Sequence, residues 1–293
     1  MLQRLFITLS LLIYLPIALQ AQQGGLKAVL INGPVYMIQG TGAGNIGIIS
    51  QPSSVIVIDA MMANSADQIR TALKAVPGGS TIRFLINTHW HSDHTDGNAA
   101  LGAGSTIVAH ENVRPLLEKP QTLMGQTTKA LPIEALPSIT YSEKLTLYSG
   151  DVPVRLVHYA HAHTNGDTMV FIDKYKVLHM GDMFFNGLFP VLDVDYGGDI
   201  PNWVRQLDAI LADLPADTKI IPGHGPLAGV EDLKAFRQML SSSAEIVSNQ
   251  IKDGKTLDQI KTAGLPDSFA PWTKGGFLTT PQWLELVYRS LKK

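Results

Sequence analysis

Three histidines and one aspartate lie within six consecutive residues, His89-Trp90-His91-Ser92-Asp93-His94. So many imidazole and carboxylate groups in one short run seldom arise by chance, and they are ligands that divalent metal ions prefer. Alternate positions of an extended chain project to the same side, so His89 and His91 can reach one ion. The run therefore predicts a metal site, and a solvated polar loop is the alternative.

The neighbouring residues place this run at the end of a buried strand. Residues 82–87 are short, apolar and rich in β-prone types, and Gly97-Asn98 begins a stretch of small residues that indicates a loop turning into a helix. The carboxyl ends of strands are where α/β folds usually hold their chemistry. We expect the 89–94 run to lie on such a loop.

Three further candidate ligands occur in similar turns. They are His163 in His163-Thr164-Asn165-Gly166-Asp167, Asp182 directly after Gly181, and His224 in Pro222-Gly223-His224-Gly225-Pro226. Each of them alone is equally well explained as a polar turn residue. Because all of them follow predicted strands, as the 89–94 run does, they are expected to converge on one face of the fold.

Composition limits the class of protein. The 293 residues are 45% hydrophobic and 16% charged, which is enough apolar material for a large core. No low-complexity stretch, charge run or Gly/Ser linker marks an internal boundary, so one domain is favoured. The chain has no cysteine, so every metal ligand must be His, Asp or Glu, and stability must come from the core.

The first 21 residues have the pattern of a cleaved secretory signal. Arg4 supplies a basic start, residues 5–15 form an apolar run of eleven, Pro16 interrupts it, and Ala21 offers a small residue for cleavage. A bilayer span needs about 20 residues. An uncleaved anchor or a buried first strand is the alternative. The mature protein is therefore expected in the periplasm or secreted, without membrane association.

Charge disfavours a nucleic-acid partner. Removing residues 1–21 from the 293 leaves 272 residues and takes away Arg4, so the formal charge changes from −2 to −3. A protein that binds polyanions usually carries a basic excess or a basic stripe, whereas Lys and Arg are scattered singly here. A small-molecule substrate is expected instead.

Periodicity predicts two β-rich halves with helices packed outside. In the first half we predict strands at 29–38, 46–50, 55–58, 82–87 and 106–109, a helix at 64–76 and another that ends near residue 120. In the second half we predict strands at 145–147, 154–159, 169–172, 177–180 and 220–221 and a helix at 201–214. From residue 231 onward the pattern is helical. Residues 121–138 show no clear period and are predicted to be a loop.

In their order and context, these motifs resemble those of the metallo-β-lactamase superfamily, over about residues 26 to 230. The resemblance implies an α/β (α+β) fold, a four-layer αββα sandwich, with a domain at 26–230 and a helical C-terminal extension at 231–293 packed on it. It also implies two zinc ions per chain, with iron or manganese as alternatives. By carry-over, the first ion would be held by His89, His91 and His163, the second by Asp93, His94 and His224, and Asp182 would bridge them.

The resemblance also implies a reaction. Two adjacent cations can share a water whose pKa falls to about 7, which gives hydroxide at neutral pH. Asp93 would be the catalytic carboxylate, both a ligand and the group that orients the water or accepts its proton. Asp59 matches a family position near the metals and is a candidate partner of the ligands, as is Asp167. A strand-end cap and a turn residue are the alternatives for these two.

One departure bears on the substrate. The superfamily members best known for cleaving β-lactams carry Cys or Ser where Asp182 stands, whereas a bridging Asp is typical of glyoxalase II, acyl-homoserine lactonases and many esterase-like hydrolases. The resemblance thus implies an exported dizinc hydrolase of an ester, thioester, lactone or lactam, with β-lactamase activity left open. The apolar residues 184–190 suit a drug-sized or acyl-bearing substrate, and a place in the core is the alternative for the aromatic ones.

Two other readings of the same motifs stay open. One is an iron-dependent oxidoreductase similar to persulfide dioxygenases, and the other is a non-catalytic metal-binding protein. The complete second ligand set favours hydrolysis over both. Among the remaining histidines, His110 and His179 are predicted to be structural. His161 could replace His163, but Thr164 and Asp167 after His163 favour the latter.

Overall fold

The computed structural model describes residues 25–274, 276 and 278–293. The leader predicted at residues 1–21 lies outside the described residues. Two sheets carry the described chain. Their strands are consecutive in two blocks, so the first sheet is built mainly before residue 142 and the second after it.

The first sheet has seven strands in the order β1-β2-β3-β4-β5-β6-β9. Strands β1 to β4 pair antiparallel, and β4, β5, β6 and β9 pair parallel. Its strands are β1 (Ala28–Asn32), β2 (Val35–Ile38), β3 (Ile46–Ser50), β4 (Val55–Ile58), β5 (Ile82–Ile86), β6 (Thr106–His110) and β9 (Ile139–Tyr141).

The second sheet has five strands in sequence order, antiparallel except for the parallel pair β13 and β14. A separate small hairpin lies between β6 and β9 in the chain. The second sheet consists of β10 (Lys144–Ser149), β11 (Val152–His158), β12 (Thr168–Ile172), β13 (Val177–Phe185) and β14 (Lys219–His224), and the hairpin of β7 (Thr122–Leu123) and β8 (Gln126–Thr127).

The helices form the two outer layers. They are α1 (Ala66–Leu73), α2 (Ser92–Thr95), α3 (Asn98–Leu101), α4 (Arg114–Leu117), α5 (Ile200–Asp213), α6 (Val230–Lys252), α7 (Leu257–Ala263) and α8 (Thr280–Leu291). One apolar cluster joins α1 to the first sheet, a second joins the inner faces of both sheets, and a third joins α5, α6 and α8 to the second sheet. The αββα order of layers expected from the sequence is thus confirmed.

Local patterns explain where the main helices form. In α1 the buried residues Ala66, Ile69 and Leu73 recur at helical spacing and face the first sheet. In α5 the Asp199 side chain accepts a hydrogen bond from the Asn202 backbone N–H at 2.7 Å, which satisfies one of the free donors of the first turn. No helix within the described ranges is long and apolar enough to cross a bilayer.

Several predicted boundaries were wrong. The single strand predicted at 29–38 is a hairpin, because Gly33 turns the chain with a φ of 53°. The loop predicted at 121–138 contains the β7–β8 hairpin and a short 3-10 turn at Ile133–Ala135. Strand β13 continues five residues past its predicted end, and β9 was missed because its three residues are too short to show alternation.

Removing the ring of Phe236 is expected to destabilise the fold by about 3 to 5 kcal/mol. Phe236 lies fully buried on α6, with the rings of Phe184 and Trp203 centred 5.2 and 5.7 Å away, so Phe236→Ala leaves a cavity in the third cluster. Urea unfolding measures the loss. Lys234→Ala, on the exposed side of the same helix, should change stability by less than about 0.5 kcal/mol. A loss below about 1 kcal/mol for Phe236→Ala would contradict the packing.

Candidate metal centre

The 89–94 run leaves the carboxyl end of β5 and enters the single turn of α2. The Thr95 hydroxyl donates to the backbone carbonyls of Trp90 and His91, and the His94 N–H donates to the His91 carbonyl at 3.0 Å. At the base of the loop, the side-chain amides of Asn87 and Asn98 bond each other in both directions, at 2.9 and 2.8 Å. These bonds fix the backbone that carries the four polar side chains.

Four of the predicted ligands form a first group. The ligand atoms of His89, His91, His163 and Asp182 all lie within 4.8 Å of one another, and the four residues are buried. Within the group, His163 Nε2 lies 3.0 Å from His91 Nδ1 and 3.5 Å from Asp182 Oδ2, and His89 Nε2 lies 3.7 Å from the same oxygen. Four donor atoms thus point at one small volume.

The other three predicted ligands form a second group beside the first. His224 Nε2 lies 3.2 Å from Asp93 Oδ2 and 3.3 Å from His94 Nε2, and His94 Nε2 lies 3.5 Å from Asp93 Oδ2. The two imidazoles are buried, whereas the Asp93 side chain is 27% exposed. Asp93 is therefore the member of this group that can meet a substrate.

The Asp182 carboxylate lies between the two groups. Its Oδ1 is 3.0 Å from His94 Nε2 and 3.3 Å from His224 Nε2, while its Oδ2 faces the first group. The sequence predicts Asp182 at the end of a strand. Asp182 instead lies within β13, which bends at Gly181, where φ is 51°. A side chain at residue 223 would put its Cβ 2.0 Å from Asp182 Oδ1, so glycine there gives the carboxylate its space.

Asp59 fixes one histidine of each group. It follows β4 with a left-handed backbone, φ 65°, and is fully buried. One carboxylate oxygen lies 2.8 Å from His94 Nδ1 and accepts the Thr88 hydroxyl at 2.8 Å, and the other accepts the Thr88 N–H. Because the Thr88 hydroxyl donates to Asp59, it must accept from His89 Nδ1, which is 3.1 Å away. Both histidines then carry a proton on Nδ1, so Nε2 is the nitrogen that each presents to the centre.

Two other acceptors orient His91 and His163. The Asp193 carboxylate lies 3.0 Å from His91 Nε2, and the Val191 carbonyl lies 2.8 Å from His163 Nδ1. A carbonyl or a carboxylate can only accept, so each bonded ring nitrogen carries the proton and the opposite nitrogen faces the first group with a free lone pair. Sequence reasoning missed Asp193, which lies 102 residues from His91 in no motif.

These observations fit a divalent metal. Four imidazoles have an outward nitrogen that is hydrogen-bonded and an inward nitrogen directed at the centre, and the buried Nε2 of His89 has no hydrogen-bond partner within the described chain. The donor set is nitrogen and oxygen without sulfur, which suits zinc, iron or manganese. Each group, completed by Asp182, offers four donor atoms.

The neighbouring histidines lower the pKa values of two carboxylates in the centre, Asp93 and Asp182. Burial would raise the pKa of Asp93, but His94 and His224 lower it to about 2. Burial likewise opposes ionisation of Asp182, yet His224, His94 and His89 hold the pKa of Asp182 well below its usual range. Both carboxylates are therefore ionised at neutral pH, as metal ligation requires.

Asp167 shapes the turn that carries His163. Its Oδ2 accepts the backbone N–H groups of His163 and Thr164, both at 2.8 Å. Burial raises the pKa of Asp167 to about 7, although the bonds from Thr164 and His163 oppose the shift. Asp167 thus supports a ligand through its backbone, whereas Asp59 touches a ligand ring directly.

The other histidines lie outside the two groups. His161 is exposed, with Nδ1 3.2 Å from the Gly197 carbonyl, so His163 is the one of the pair that points into the centre. His110 stacks on His158 with ring centroids 3.5 Å apart. His179 is buried in β13.

A groove of about 470 Å³ opens onto the centre. The β7–β8 hairpin forms one side of the groove, and Met62 and Gln282 of α8 form other parts of its wall. The lining residues are Gly42, Met62, His91, Ser92, Asp93, Leu123, Met124, Gln126, Asp182, Phe185, Val191, His224 and Gln282. A groove of similar volume, about 420 Å³, lies along β1, but Lys27 is the one titratable side chain among its described lining residues. The groove that opens onto the metal centre is therefore the candidate substrate site.

Comparison with known proteins identifies the class. The family model of the metallo-beta-lactamase superfamily matches residues 39–224, which is more than half of the chain and includes both ligand groups. The protein therefore belongs to the metallo-beta-lactamase superfamily.

Individual relatives are distant. The chain is 22% identical over 168 residues to a metallo-beta-lactamase type 2 of Bacteroides fragilis, covering 57% of this chain and 63% of that protein. It is 28% identical over 173 residues to a hydroxyacylglutathione hydrolase of a Polaromonas species, covering 57% of each. The chain thus spans less than two thirds of the length of these curated relatives. A solved metallo-beta-lactamase from Pontibacter korlensis superposes with a TM-score of 0.60 at 18% identity, over 74% of this chain and 99% of that one, which shows a shared fold.

Metal affinity is expected to rise with pH. Burial alone would lower the pKa of His224, but Asp182 and Asp93 raise it to about 9 in the metal-free protein. Below that pH the imidazole is protonated and must release its proton to bind a metal. Burial would lower the pKa of His94 too, but Asp182, Asp93 and Asp59 raise it, so affinity should gain at least about ten-fold per pH unit. Zinc titrations against a competing chelator between pH 6.5 and 9.5 measure this. An affinity that does not change with pH would contradict the assignment of His224.

Asp193→Ala is expected to weaken metal binding about 10- to 100-fold, because His91 loses the acceptor that orients its ring. Asp193→Asn should lose less, since its amide oxygen can still accept from His91 Nε2. The same chelator competition measures both variants. Asp195→Ala is the matched control, since Asp195 is exposed and pairs with Arg289 at the surface. Equal affinities for Asp193→Ala and Asp195→Ala would show that the His91 contact does not matter.

Proposed function

We propose that this protein is an exported zinc-dependent hydrolase that cleaves an ester, thioester, lactone or lactam bond in a small molecule. The observation that carries the proposal is the Asp182 carboxylate, which faces one ligand group with each of its oxygens beneath an open groove. A centre built for a single ion would not need the second group. Membership of the superfamily and the names of the two curated relatives support hydrolysis.

The residues of the centre would have different roles in hydrolysis. Each group with Asp182 would hold one zinc ion, and the bound pair would supply Lewis acidity and a lowered water pKa. Asp93 is ionised at neutral pH and partly exposed on the groove, so it can accept a hydrogen bond from a water and direct that water at a substrate carbonyl. Four of the buried histidines keep their orientation throughout, because their outward nitrogens remain bonded: His89, His91, His94 and His163.

Two features support the class of bond. The groove has the volume of a small-molecule site, and its apolar walls with a few convergent polar groups suit an acyl compound. In the family resemblance drawn from the sequence, a bridging aspartate is typical of lactonases, glyoxalase II and esterase-like hydrolases. β-Lactam cleavage therefore ranks behind ester, thioester and lactone cleavage.

Export is the second part of the proposal. The signal pattern at residues 1–21 supports it, and a chain without cysteine is compatible with an oxidising compartment. Zinc rather than iron is proposed because the ligands are mainly imidazoles with two carboxylates, and both groups are complete.

The test is metal analysis of the purified mature protein together with assays on an aryl ester, a thioester, a homoserine lactone and a chromogenic cephalosporin. Two zinc ions per chain and turnover of at least one substrate are expected. Asp93→Asn should reduce kcat by at least about 100-fold, while Asp96→Asn, three residues away and outside both groups, is the matched control and should retain activity. One iron per chain with oxygen uptake would favour the oxidoreductase, and no metal with no turnover would overturn the proposal.

A further inference from the structure

The groove above the metal centre has no positively charged wall. Its described lining contains neither Lys nor Arg, and the polar side chains apart from the ligands are the uncharged Ser92, Gln126 and Gln282. Lys119 and Lys129 line a smaller pocket beside Trp90, which shares Ser92 with the groove. The described lining of the groove itself therefore offers a substrate no cationic side chain.

The walls of the groove are apolar on several sides. Leu123 and Met124 come from the β7–β8 hairpin, Met62 from the turn before α1, and Phe185 and Val191 from the end of β13 and the loop after it. Met124 lies at the hairpin tip with a left-handed backbone and is 51% exposed, although it is a large apolar residue. Exposed apolar surface beside a reactive centre favours contact with a hydrocarbon.

The apolar walls also bear on the charge that a substrate can carry. A carboxylate on the far part of a substrate would lose water without gaining a partner on the apolar walls, and such uncompensated desolvation is costly. A methyl group at the same place would instead gain from burial.

Resting on the proposed function, we infer that the groove selects uncharged substrates with a hydrocarbon acyl chain and disfavours those that carry a carboxylate on that chain. The hairpin residues Leu123 and Gln126 determine this preference together. They pair directly across the two strands and both line the groove, whereas Thr122 and Thr127, the next pair, lie outside the lining. Adjacent pairs in a strand ladder face opposite sides, which explains the division.

The experiment uses two probes that differ at one end. Octanoyl hydroxamate and its analogue with a terminal carboxylate both direct the hydroxamate to a metal, so the other end reports on the groove. Calorimetric titration of the zinc-loaded protein is expected to show at least about ten-fold tighter binding of the neutral probe. Shortening the neutral probe should weaken binding about three- to four-fold for each methylene removed.

A matched pair of variants locates the effect. Gln126→Lys adds a cation inside the groove and should reduce the preference for the neutral probe at least about five-fold, because the terminal carboxylate gains a partner. Thr127→Lys adds the same charge on the opposite side of the hairpin and should leave the preference within about two-fold. An unchanged preference in Gln126→Lys would overturn the role of the hairpin.

The outcomes separate this inference from the proposed function. Equal binding of the two probes, or tighter binding of the carboxylate, would overturn the inference while hydrolysis of any substrate leaves the proposed function intact. Failure of both probes to bind, with no turnover in the substrate assays, would overturn the proposed function and the inference with it.

Discussion

The hydrogen bonds of one buried carboxylate, Asp59, hold the two halves of the metal centre in place. It bonds His94 of the second group directly and His89 of the first group through the Thr88 hydroxyl. Its left-handed backbone costs about 1 to 3 kcal/mol. In this conformation the Asp59 N–H bonds the Ile86 carbonyl at 2.7 Å, and the side chain bonds both Thr88 and His94. Displacing it would disturb both groups at once.

His91 and His163 are likewise oriented by hydrogen-bond acceptors. His91 depends on Asp193 and His163 on the Val191 carbonyl, and both acceptors come from the loop after β13. This segment therefore orients two ligands while contributing none. A metal centre of this kind requires the whole surrounding fold to be correct, since a ring turned by a lost acceptor would present a protonated nitrogen.

How far the sequence predicts this molecule depends on how local each signal is. The 89–94 run is recognisable because its ligands lie within one short segment, and His163 and His224 are recognisable from their turns, whereas Asp182 lies inside a strand that continues past its predicted end. Asp193 was not predictable, because its role arises from a contact between distant segments. The β7–β8 hairpin was missed for a related reason: two-residue strands carry no measurable alternation, and their position over the groove is decided by packing.

Each ligand group draws on both halves of the chain. His89 and His91 follow a strand of the first sheet while His163 and Asp182 belong to the second, and in the other group Asp93 and His94 face His224 from the end of β14. Bound ions would consequently tie residues 93 positions apart in the first group, His89 and Asp182, and 131 apart in the second, Asp93 and His224. The chain has no cysteine and therefore no disulfide cross-links. Bound ions would act as cross-links in their place, so loss of the metal would lower the stability of the sandwich as well as its activity.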